Sequence, residues 1–258
     1  MNQDLQGMDN LIVPDWGGPV PHAEALSTTR RGGVSLAPYD DGAGGGGLNL
    51  GIHVGDRPEY VRTNRDLLRA VLPAEPAWLT QVHGTTVVDA AAASDAAQAD
   101  ASVASRPGVV CAIQTADCLP VLFCALNGRA VGAAHAGWRG LAGGVLQNTV
   151  ERMRALGADE IVAWLGPAIG PGCFEVGTDV LDAFTVRDPS TRTAFVPVPG
   201  SPDKYLADIY ALARRALGEA GIERVTGGGK CTVTDGGDFY SFRRDRITGR
   251  MASLIWLK

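Results

Sequence analysis

Residues 109–140 read VVCAIQTADCLPVLFCALNGRAVGAAHAGWRG. Three short apolar runs stand out in it: Val109 to Gln114, Leu119 to Leu126 and Arg129 to Ala134, each closed by polar or glycine-containing turns. Runs of this length and β-branched content predict three neighbouring strands. The strand ends carry chemistry: Cys118 follows Asp117 at the start of the second run, and His135 closes the third before Ala136-Gly137-Trp138-Arg139-Gly140. Immediately beyond, Leu141, Val145, Thr149, Met153 and Leu156 recur at helical spacing, so a helix is expected over 141–156.

Working outward, helices are expected at Pro58 to Leu72, Thr178 to Phe184 and Lys204 to Ala220, the last carrying Leu206, Ile209, Ala213 and Leu217 on one side. Strands are expected at Glu160 to Leu165 and Ser253 to Leu257. Gly166-Pro167-Ala168-Ile169-Gly170-Pro171-Gly172 cannot be helical, and the Gly-rich stretch 42–47 is a loop. Strands and helices mix without the strict alternation of a doubly wound fold, which points to an α+β layered sandwich. With 258 residues, 45% hydrophobic, and no long polar or Pro-rich linker, one domain is expected over 11–258, preceded by a disordered N-terminus at 1–10.

A net charge of −5 without a basic face excludes a general nucleic-acid binder. No apolar run is long enough to span a bilayer, and the polar start lacks the pattern of a signal peptide, so a cytoplasmic protein without membrane contact is expected. The five cysteines, Cys111, Cys118, Cys124, Cys173 and Cys231, are an odd number in a chain too large to need stapling, which favours free thiols or metal ligands. On a strand Cys118 and Cys124 would lie about 20 Å apart, too far to share one ion.

The strongest chemical signal is the trio His83, Cys118 and His135, drawn from Thr80-Gln81-Val82-His83-Gly84, Thr115 to Pro120 and His135 to Gly140. Three N and S donors suit one zinc ion with an open fourth position, the pattern of a catalytic rather than a structural site. The alternative is a buried core cysteine beside unrelated histidines. Other motifs fail: Gly227 to Thr232 lacks the first glycine and the Ser/Thr of a P-loop, and no strand precedes the glycines at 42–47 as a dinucleotide site requires. The His-x-Glu and Pro-Cys-x-x-Cys of zinc deaminases are absent, and four histidines are too few for a full multicopper oxidase.

Beyond the trio, the chain contains Arg31-Gly-Gly-Val-Ser35, Leu48-Asn-Leu-Gly51, His53-Val-Gly-Asp56, Asn64-Arg65, Leu165 to Pro171, Phe174-Glu-Val-Gly177 and Phe239 to Asp245. In order and together these closely resemble the YfiH family of laccase-domain, or polyphenol oxidase-like, proteins, over nearly the whole chain. The resemblance implies an α/β/β/α layered sandwich with mixed sheets and one zinc ion on His83, Cys118 and His135. It implies a purine nucleoside phosphorylase acting on adenosine, inosine and methylthioadenosine, with adenosine deaminase activity, whose partners are nucleosides and phosphate. Some family members are instead linked to editing of UDP-muramoyl peptidoglycan precursors, and the fold resembles a toxin deamidase, so a Cys-His hydrolase is the alternative; a copper-dependent oxidase is a further one. The chain departs from the family pattern at 41–46, where extra glycines lengthen the loop.

For phosphate, Arg65 and Arg139 are the first candidates, because guanidinium forks grip oxyanions bidentately. Asn64, His53 and Arg243 are further substrate-binding candidates; Arg243 and Arg244, if on a strand, would face opposite ways. Asp117 and Gln81 are candidates to orient the metal ligands, since a ligating histidine commonly donates its second N–H to a carboxylate or carbonyl. A monomer or weak oligomer is expected.

Overall fold

The computed structural model describes residues 10–94 and 97–258. All but one position of the expected N-terminal disorder lies outside them. Two large sheets stack at the centre. One is four-stranded, in the order Leu11–Ile12, Ala23–Thr28, Met251–Leu257 and Val110–Thr115, all antiparallel. The other is six-stranded, in the order Val225–Gly227, Ile161–Leu165, Leu119–Ala125, Val131–Ala136, Ala101–Ala104 and Val87–Asp89, with parallel pairs at its two edges.

Every residue of the Val110–Thr115, Leu119–Ala125, Val131–Ala136 and Met251–Leu257 strands is buried, because each sheet is covered on both faces. Between the sheets, Ala25, Cys111, Ile113 and Ile255 meet Leu122, Cys124, Val131, Ala133 and Trp164. The outer face of the four-stranded sheet packs Leu26, Val110, Ala112 and Leu254 on Leu68 of the helix Pro58–Arg69. The outer face of the six-stranded sheet packs Val121 and Phe123 on Leu146, Val150 and Met153, and on the helices Thr178–Thr185 and Ile209–Glu219. The result is the expected α/β/β/α order of layers, with a small three-stranded sheet, Glu175–Gly177, Lys204–Ala207 and Phe195–Pro197, at one side.

Three expectations are corrected. The Val110–Thr115 run does not pair with the next two strands: its strand partner is Met251–Leu257, and the chain crosses to the other sheet through Ala116-Asp117-Cys118. The helix expected over 141–156 is two, Trp138–Gly143 and Val145–Ala155, divided where Gly144 takes a left-handed φ of 100°. The helix expected from Lys204 starts at Ile209: Asp208 caps it by accepting from the Ala211 amide, and Lys204–Ala207, with Leu206, is a strand.

Candidate metal centre

The crossover between the sheets builds the site. Pro120 pairs with His135 and Leu119 with Ala136, so Cys118, one residue before its strand, falls beside His135 near the end of the neighbouring strand. Asp117 holds the crossing at a φ of 98°, a conformation that non-glycine residues adopt only when their surroundings fix it. The fixing bonds come from distant segments and are short: Asp117 accepts from the Thr232 hydroxyl at 2.6 Å and the Arg243 amide at 2.7 Å, and its carbonyl accepts from the Ile169 amide at 2.8 Å.

His83 arrives from a loop beside the Val87–Asp89 edge strand and is itself left-handed, with φ 60°. Its loop wraps a fully buried carboxylate, Asp100, which accepts from the amides of Val82 (3.2 Å), His83 (2.8 Å) and Gly84 (2.7 Å). The same carboxylate sits 2.8 Å from His135 Nδ1, and the Asp100 carbonyl accepts from the His135 amide at 2.7 Å. One acid therefore positions two of the three donors. Fixing Nδ1 of His135 as a donor leaves Nε2 to face the cluster.

The ligand atoms of His83, Cys118 and His135 lie within 4.8 Å of one another. Cys118 Sγ is 3.8 Å from His83 Nε2, and the two imidazoles meet edge to face with centroids 4.8 Å apart. Gly137 leaves the room this needs: a Cβ there would stand 2.8 Å from the His83 ring and 3.3 Å from Cys118 Sγ. His135 is buried, Cys118 half-buried and His83 exposed, so the cluster opens to solvent on one side. Burial pushes the Cys118 thiol up, but His135 and then His83 outweigh it and bring it down to about 6. Burial likewise opposes charge on His135, yet Cys118 and Asp100 raise it to about 9. The Cys118–His135 pair thus favours a thiolate beside an imidazolium, whose Nε2 must lose its proton before it can ligate a metal. The donor chemistry and spacing of the trio fit one metal ion with an open position.

The other residues singled out from sequence divide. Asp117 does not touch a histidine: its oxygens are taken by Thr232 and Arg243, and the orienting carboxylate is Asp100. Gln81 clamps the Gln114 backbone through two bonds of 2.8 Å. Asn64 is fully buried, accepting from the Val34 amide and donating to Ser35, Gly47 and Asn49, so no group of it is free for substrate. Arg139 is exposed and lies over the Trp138 ring. Arg65 stacks over Trp78 and donates to the Leu50 carbonyl. Arg243 is on a helical turn, Phe242–Asp245, rather than a strand; it donates to the Glu175 carbonyl and approaches Phe174. His53 is exposed, and partial desolvation with the charges of Arg250 and Arg65 lowers its pKa.

Asp100 and Arg250 escaped the sequence reading. A lone acid between Ala99 and Ala101 at the mouth of an apolar strand is a signal, since a buried carboxylate must be partnered. Arg250, just before the last strand, carries no comparable sign, yet it lies close enough to Cys118 and Asp117 for their charges to act on it.

Fold and site together define a mixed α/β protein whose two stacked sheets present a single His-Cys-His cluster at their crossover. Among the described residues this is the one group of three or more potential ligands. The chain belongs to the YfiH family: residues 24–258 match the family described as multi-copper polyphenol oxidoreductase laccase. It is 53% identical over 253 residues to the purine nucleoside phosphorylase YfiH of Escherichia coli, covering 97% of this chain and all of the relative. A purine nucleoside phosphorylase of Pseudomonas aeruginosa is 52% identical with the same coverage. Among solved structures, a Neisseria meningitidis protein superposes with a TM-score of 0.88 at 51% identity, covering 97% of this chain and 100% of that one. A Bacillus licheniformis YfiH protein gives 0.82 at 30% identity, covering 92% and 93%. Among the described residues no helix is long and apolar enough to cross a membrane.

Proposed function

We propose that this chain is a zinc-dependent purine nucleoside phosphorylase acting on inosine, adenosine and methylthioadenosine, with His83, Cys118 and His135 as zinc ligands. The observation that carries the reading is the open three-donor cluster with the cation Arg250 beside it. The names of relatives matching over their whole length support it. A bound zinc supplies a Lewis acid that polarises an oxygen placed on it, and can lower the pKa of a bound water, which would also serve adenosine deamination.

The protein's own groups do the rest. Arg250, with His53 and Arg65 next to it, supplies positive charge where an anionic phosphate approaches, and a guanidinium binds such an oxyanion as a fork. Arg243, tethered at the Glu175 carbonyl beside Phe174, is a further cation for an anionic or purine group of the substrate. Asp100 keeps His135 in one tautomer and His83 in its left-handed pose, so no reorganisation is needed when substrate arrives.

The test is release of hypoxanthine from inosine with and without phosphate. Release that requires phosphate, yields ribose 1-phosphate and vanishes in Cys118→Ala supports the reading; full release without phosphate replaces it with hydrolysis. Metal analysis should give one zinc per chain.

One observation favours a second reading. Cys118, His135 and Asp100 line up as nucleophile, base and orienting acid, with the thiol held near 6. A thiol amidase, such as one editing peptidoglycan precursors, would keep its activity after chelation and lose it to iodoacetamide. The copper oxidase reading has no comparable support, since a multicopper centre needs more histidines than the four in this chain.

A further inference from the structure

Cys173 and Cys231 form a second thiol centre, separate from the trio. Cys231 forms an isolated parallel bridge with Ala168, and its Sγ accepts from the Gly170 amide at 3.2 Å. Burial raises the Cys231 pKa, but the polar groups of Thr234, Gly170 and Val233 around its sulfur outweigh that and hold it below the ordinary thiol value. Cys173 closes a tight turn in which the Gly170 carbonyl accepts from the amides of Cys173 at 3.0 Å and Phe174 at 3.1 Å. Cys173 and Cys231 therefore both bond to Gly170, one to its carbonyl and one to its amide, and burial and the neighbouring Cys231 sulfur push the Cys173 pKa up. Both residues are half-exposed and neither is disulfide-bonded. The pair is thus unequal: the Cys231 sulfur ionises more readily than that of Cys173.

We propose that Cys231 and Cys173 are a reversible thiol–disulfide site, with Cys231 the attacking sulfur and Cys173 the resolving one. The Cys231 thiolate attacks a low-molecular-weight disulfide such as oxidised glutathione; a Cys231–glutathione bond forms and one glutathione thiolate leaves. Cys173 then gives up its proton and attacks the Cys231 sulfur, the second glutathione leaves as a thiol, and the protein holds one disulfide in place of two thiols. Two electrons pass to the small disulfide. The new bond ties the 170–174 turn to the 231–235 turn. Glu175, next to the first, holds Arg243, and Thr232, in the second, holds Asp117, the residue before Cys118, so the cross-link would join segments that bear on the metal centre.

The test uses the full-length protein exposed to oxidised glutathione, then denatured, alkylated and mapped by mass spectrometry. The expected result is a Cys173–Cys231 cross-linked peptide that dithiothreitol reverses. Cys173→Ser should stop at a glutathione adduct on Cys231, and in Cys231→Ser the remaining Cys173 should react about tenfold more slowly or less at neutral pH. A lasting glutathione adduct on wild-type Cys231, both thiols still free to alkylate, or a cross-link to another cysteine would each overturn the proposal. The wild-type map decides the matter even if a variant fails to fold, and it is independent of whether nucleosides are the substrate.

Discussion

Asp100→Asn tests the claim that one buried acid organises the site. The carboxylate takes four donors, two on each oxygen: His83 N and His135 Nδ1 on Oδ1, Val82 N and Gly84 N on Oδ2. An asparagine of the same shape has one oxygen and one NH2, so whichever way it turns, two donors face a donor. A buried group left without its partner costs about 1–3 kcal/mol, so the two together cost about 2–6 kcal/mol. At the lower figure the melting midpoint falls by about 4–8 °C. If the amide nitrogen faces His135, Nδ1 is driven to accept, Nε2 keeps the proton, and the ligand is in the wrong tautomer. If it faces the loop, the left-handed turn that presents His83 loses two of its three ties. Either way metal affinity should drop about 10–100-fold, the usual effect of removing a ligand's orienting partner. Competition with a chromophoric chelator measures the affinity and calorimetry the midpoint. A variant that binds metal within twofold of wild type at an unchanged midpoint would refute the reasoning.

Three further outcomes are expected. Gly137→Ala, whose Cβ would stand 2.8 Å from the His83 ring, should abolish stoichiometric metal binding while leaving the far-ultraviolet circular dichroism native, because the Gly137 φ of −61° suits alanine. With Cys118 near 6 and His135 near 9, the Cys118–His135 pair carries one proton between those values; metal binding should release it, so affinity rises by about tenfold per pH unit across that window and flattens above it, as calorimetry in buffers of different ionisation enthalpy would show. Arg250→Gln should raise the KM for phosphate about tenfold or more, the worth of one charge-assisted contact, with a smaller change for the nucleoside; equal changes in both would remove Arg250 from the phosphate site.

The sequence by itself determined the buried strands and helices whose patterns are local, the covered-sheet architecture and the three donors, which stand in short, dense motifs. Periodicity marked Val145, Thr149 and Met153 as one helix face, and all three are buried. Tertiary structure alone decided which polar residues serve the site and which the scaffold. Asn64, Gln81 and Asp117 read as site residues because they adjoin reactive ones, yet each spends its hydrogen bonds on backbone or on remote side chains. Asp100 read as nothing, and it hydrogen-bonds to two members of the trio. A buried polar group must find partners wherever the fold supplies them, and those partners come from distant segments: Thr232 for Asp117, Gln114 for Gln81, His135 for Asp100. The sheet to which Val110–Thr115 belongs was hidden for the same reason. Its pairing with Met251–Leu257 is set by which apolar faces can be covered together, not by the residues on either side of it.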